Sequence, residues 1–109
     1  MKGGIIVKVH ISSKKKEYEA FGEFNEKTKE IKVFKGAIVS KDIANSKTFK
    51  GANTIEKTRN GIIKNNILQE DKTFKSPSTA ANFVTGRSTN GLIAWKTEDG
   101  KKIKDVLTK

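Results

Sequence analysis

The sequence has no cysteine. That excludes a disulfide framework, a thiolate zinc site and a cysteine nucleophile together. It has one histidine, His10, so His-rich metal clusters are excluded and a serine nucleophile has hardly any base to draw on. It has one proline, Pro77, so there is no Pro-rich linker. Aromatic residues make up 7% and hydrophobic residues 34% of 109 positions, which predicts a small core and a single domain over residues 1–109. No run approaches the ~18 apolar residues that cross a bilayer. Residues 5–7 form an apolar run too short for a signal peptide. The expectation is a soluble, cytoplasmic domain with no membrane partner, no cofactor and no metal.

Acidic residues are also scarce. There are 12 Asp and Glu against 23 Lys and Arg, a formal net charge of +11. On so small a body this favours an anionic partner, nucleic acid first. The excess is spread evenly: residues 1–54 carry +6 and residues 55–109 carry +5, so neither half is a basic tail. The cations are 21 Lys and 2 Arg beside 12 Ile and 8 Asn, a bias that AT-rich codons also produce.

The first third reads as strands. Val7, Val9 and Ile11 alternate with Lys8 and His10. After a polar turn over residues 12–16, Tyr18, Ala20, Gly22 and Phe24 share one face of a second strand while Phe21 falls on the other. A turn over residues 25–29 leads to a third strand around Ile31 and Val33. Turns this short predict an antiparallel meander. Gly36 then breaks the pattern before Ala37-Ile38-Val39-Ser40. Ile55, Arg59, Ile62 and Ile63 recur at helical spacing, with Asn53 or Thr54 as a cap and Gly61 as a kink or stop. Asn65-Asn66 reads as a turn, and Ile67-Leu68 and Thr73-Phe74 as short apolar points.

A short helix over about 77–85 is the clearest local signal. Ser76 suits the N-cap, Pro77 the first helical position and Gly86 the left-handed C-terminal position, with Ala80, Phe83 and Val84 on one face. Asn90-Gly91 then predicts a turn, Leu92-Ile93-Ala94-Trp95 a strand, Glu98-Asp99-Gly100 a turn, and residues 101–104 a last strand or the start of a helix. The predicted fold class is α+β: an N-terminal antiparallel β-meander, a helix, then a short helix–loop–strand unit.

The run from Phe74 through Ser76-Pro77-Ser78, Ala80-Ala81, Gly86-Arg87-Ser88 and Asn90-Gly91, followed by Trp95 and Asp99-Gly100-Lys101, resembles a domain-of-unknown-function family found C-terminal to GIY-YIG endonuclease domains. That family is similar in turn to the RAMA (restriction enzyme adenine methylase associated) domain. The likeness covers about residues 34–105, including Lys35-Gly36-Ala37-Ile38-Val39-Ser40 and the helix ending in Gly61-Ile62-Ile63. It implies a fold and a restriction, nuclease or repair setting, with a nuclease or methyltransferase as a protein partner. Where the family often has an aromatic after Asn-Gly, this chain has Leu92.

The candidate nucleic-acid-binding residues lie in and around this run. Arg87, Ser88, Thr89, Asn90 and Gly91 offer a planar cation, two hydroxyls, an amide and a close-approach glycine; the plain alternative is an Arg87–Glu98 ion pair and an ordinary turn. Lys75, Ser76 and Ser78 surround a helix start, where free amides attract phosphate, or which Ser76 simply caps. Trp95, next to Lys96, either stacks on a base or fills the core. Phe21, Phe24, Phe34, Phe74 and Phe83 are expected inside, with Phe49 open. His10 reads as a solvated strand residue, and Lys14-Lys15-Lys16 as a hairpin tip. No carboxylate pair has catalytic spacing, so the reading is a non-catalytic, DNA-binding module. A protein-interaction module using a sheet edge is the second reading, and a small enzyme the third.

Overall fold

A computed structural model describes residues 6–41 and 52–107; Phe49 lies outside them. Strands β1 (Ile6–Ser12), β2 (Glu19–Asn25) and β3 (Ile31–Val33) form the predicted antiparallel meander. The turns between them are closed by side chains that the sequence supplies. Ser13 Oγ accepts from the Glu17 amide at 2.7 Å, and Asn25 Oδ1 accepts from the amides of Lys27 and Thr28. Two strands from later in the chain complete the sheet. β6 (Lys72–Phe74) adds beside β3 and β7 (Lys96–Thr97) beside β1, giving the order β6-β3-β2-β1-β7. The short apolar points of the sequence are thus strands: Thr73-Phe74 in β6, and Ile67-Leu68 as β5, which pairs with β4 (Ile63–Lys64) in a separate hairpin. Asn65 and Asn66, both at positive φ, make its two-residue turn.

One face of the main sheet carries the core. Val9, Ile11, Ala20, Phe24, Ile31, Val33 and Phe74 are buried there and pack against helix α2 (Pro77–Thr85), whose Ala80, Ala81, Phe83 and Val84 are buried in turn. Phe83 meets Phe74 at 5.0 Å between ring centroids. Each such aromatic or aliphatic side chain adds about 1.5–3 kcal/mol by leaving water. Helix α1 (Ala52–Arg59) starts earlier than predicted, so Asn53 and Thr54 lie inside it rather than capping it. Gly61 follows its end at φ 86°. The segment around Ile38 is not a strand of the sheet; it joins β2 and β5 through single bridges at Glu19 and Ile67.

Two further expectations fail. Leu92 to Trp95 is not a strand. Helix α3 (Gly91–Ala94) forms because the Asn90 side chain accepts from the Leu92 amide at 3.0 Å and the Asn90 carbonyl from the Ala94 amide at 2.9 Å. The strand begins only at Lys96, turns at Gly100, and leads to α4 (Ile103–Leu107). Phe21 is not in the core. Its place on β2 points it away from Ala20 and Phe24, and it is 56% exposed on the open face of the sheet. Phe34 is half-buried, one residue beyond β3.

Candidate functional site

Most of the sequence-predicted site residues hold the chain to itself. Ser76 caps α2, accepting from the Thr79 amide at 3.2 Å, and its hydroxyl also meets the Thr79 hydroxyl. Ser78 Oγ accepts from the Gly91 amide at 3.1 Å, which clamps the loop at residues 90–91 against the first turn of α2. Gly91 is buried at that contact. A Cβ there would stand 2.1–2.4 Å from backbone atoms of Pro77 and Ser78, so its missing side chain serves the chain's own packing, not a partner's approach. Asn82 Oδ1 accepts from the Thr89 amide, and the hydroxyls of Thr85 and Thr89 hold the backbone of Arg87. Trp95 is fully buried, and its indole N–H donates to the Pro77 carbonyl at 3.1 Å. Its base-stacking role is therefore corrected: no face of the ring is open to a ligand. Leu92 is half-buried against the core, a packing position.

The remaining candidates, Lys75, Arg87, Ser88 and Lys96, are exposed, but the structure does not bring them into one site. Lys75 precedes the start of α2. Arg87 follows Gly86, whose φ of 75° ends the helix, so it stands about 16 Å from Ser76 at 1.5 Å per residue. Lys96 pairs with His10 on β7, on the opposite side of the sheet from α2.

Around Arg87 the fold builds a cleft of about 470 Å³. The tip of the β1–β2 hairpin supplies Lys16, Glu17 and Tyr18; the segment at residues 38–41 supplies Lys41; and the β4–β5 turn supplies Asn66. Among the described residues the Arg87 guanidinium makes no hydrogen bond or ion pair, so the Arg87–Glu98 alternative is not what forms. Its backbone is pinned by two threonines while its charged end faces the cleft and solvent. The other arginine does the reverse. Arg59 donates from Nε to the Phe83 carbonyl at 3.0 Å and from Nη1 to the Ser40 carbonyl at 3.0 Å, with its guanidinium 5.7 Å from the Phe83 ring centre. Burial pulls its pKa below the ordinary arginine value.

Sequence reasoning missed the open face of the sheet. The registers place Lys96, His10, Phe21 and Phe34 in one row across β7, β1, β2 and the end of β3. His10 and Phe21 stack at 4.5 Å between ring centroids and 21° between planes. A depression of about 390 Å³ is lined by Lys8, His10, Phe21, Phe34, Thr97 and Glu98. Glu19 accepts from Lys16 Nζ and meets His10 Nε2, each at 3.2 Å. The hydrogen bond from Lys16, then that from His10, holds the Glu19 carboxyl below its ordinary value. The one sequence signal for this face was the out-of-register Phe21, which is unexplained by a buried strand face.

Among the described residues no three His, Asp or Glu converge on a point that could hold a metal, and no helix is long and apolar enough to cross a membrane. Searches of curated proteins and of solved structures give no significant match. The family model described as "Domain of unknown function (DUF4357)" matches residues 11–107, from within β1 to the end of α4, so the likeness begins well before residue 34, and the chain belongs to that family.

Proposed function

We propose that this domain is a non-catalytic nucleic-acid-binding module, suited to DNA, that acts in the cytoplasm beside a nuclease or modification enzyme in a restriction or repair setting. The observation that carries the reading is Arg87: an exposed guanidinium on a backbone held by two threonines, at a cleft lined also by Lys16, Lys41 and one carboxylate, Glu17. A planar fork of this kind suits phosphate oxygens or a guanine edge, and the surrounding lysines supply attraction that does not depend on sequence. The net charge of +11 supports the same reading. So does the resemblance to domains that sit next to GIY-YIG endonucleases and to RAMA domains.

The test is an anisotropy titration of a labelled oligonucleotide at several salt concentrations. Affinity should fall steeply with salt, by a log–log slope of about −0.7 per single-strand phosphate neutralised or about −0.9 per duplex phosphate. Arg87→Ala should weaken binding severalfold without lowering thermal stability. No binding at low salt ends the reading. A protein-docking role is favoured by β6, a three-residue strand at one end of the described sheet. One protein partner retained after nuclease treatment, with no oligonucleotide bound, would select that role instead.

A further inference from the structure

We infer that the open face of the sheet is a stacking platform for unpaired nucleotides, with Phe21 as the ring that meets a base and His10 as its support. The inference rests on the nucleic-acid reading above but names a different surface and a narrower ligand: a single strand, not a duplex.

The argument starts from burial. A small domain with few aromatics gains most by placing each one inside. Phe24, Phe74 and Phe83 obey this; Phe21 is left 56% exposed. A lone exposed apolar residue is ordinary, but Phe21 is not alone. Its ring lies nearly parallel to His10, and Phe34 follows in the same row. His10 is itself oriented by the hydrogen bond to Glu19, so the pair is held in place before any ligand arrives. Exposed aromatic rings on an open sheet are a common way for proteins to hold unpaired bases, because every base has a π-face to offer. A duplex keeps its bases stacked on one another and presents no such face.

Charge selects the occupant. The row Lys96–His10–Phe21–Phe34 crosses four neighbouring strands without a carboxylate. With strands about 4.8 Å apart it spans roughly 14 Å, room for two bases. In the adjacent row Lys8 and Lys32 stand on either side of Glu23, within reach of a backbone running over the rings. The second carboxylate of this face, Glu19, is engaged by His10 and Lys16. Glu98 also lines the depression, alongside Lys8 and His10. Lys16, which holds Glu19 beside His10, also lines the Arg87 cleft. An acidic protein surface would meet the same lysines, but a nucleotide strand adds to its charges a planar base for the exposed Phe21.

The experiment uses the whole chain with 12-nucleotide oligo-dT, oligo-rU and a duplex of mixed sequence. Phe21→Ala should lower single-strand affinity about tenfold, within the range for losing one stacked base. Phe21→Trp should retain binding and show quenched fluorescence on adding a single strand, a clear signal because the native Trp95 is buried. Either oligo-dT or oligo-rU giving this pattern supports the inference and identifies the sugar preferred. If Phe21→Ala binds like the parent and the Phe21→Trp variant shows no quenching while Arg87→Ala loses affinity, the platform is overturned and the Arg87 cleft stands. If no oligonucleotide binds the parent, both readings fall.

Discussion

Position 91 has no room for a side chain. Because a Cβ there would press on the backbone of Pro77 and Ser78, and backbone cannot rotate away, Gly91→Ala is expected to cost about 3 kcal/mol or more. The loss should be read as a lower urea midpoint monitored by Trp95 emission. Trp95→Phe removes the indole donor and leaves the Pro77 carbonyl buried without it, for a loss of about 1–3 kcal/mol in the same assay, followed by far-ultraviolet ellipticity. Glu19 gives a pH prediction. Its carboxyl titrates low because Lys16 and His10 hold the charged form. The stabilisation is therefore present above the ordinary value of 4.5 and is lost as the pH falls through the lower value of the folded state. A carboxyl carbon NMR titration should find the Glu19 midpoint low, and Lys16→Ala should move it up.

Helix α2 is the element that organises the rest. Its start and end were legible because both signals are local: a Ser-Pro cap and a glycine at positive φ act on neighbouring residues. Ser76→Ala should lower stability by about 1 kcal/mol, measured by thermal melting. The C-terminal end of α2 depends on Arg59, which takes up the Phe83 carbonyl and ties it to Ser40. Lysine cannot repeat this fork. Arg59→Lys should leave the sheet intact but raise amide exchange around residues 38–41 and 83–86. Helix α3, by contrast, was illegible. Asn-Gly followed by apolar residues reads as a hairpin; here Asn90 caps a helix instead, while Gly91 docks on Ser78, thirteen residues earlier. Likewise nothing local says that Arg87 stays exposed while Arg59 is enclosed. That difference comes from which distant carbonyls each can reach.

Across the described residues, the two surfaces proposed for an anionic strand lie apart from most of the run from Ser76 to Trp95. The motif from Ser76 to Trp95 is largely internal stitching. Its one outward cation is Arg87, exposed with Thr79, Ser88, Asn90 and Ile93, and Lys75 and Lys96 flank the run. The meander and its turns followed from alternation and turn residues. The addition of β6 and β7 did not, because pairing between distant segments leaves no local trace.

The pairing of β7 with β1 has a kinetic consequence. Val9 finds its partner in Thr97, so the sheet closes only by bringing together residues 88 positions apart. Closing so large a loop is slow compared with forming the hairpins. Refolding followed by indole emission should thus trail the growth of far-ultraviolet ellipticity, since Trp95 is sequestered next to the last strand to dock.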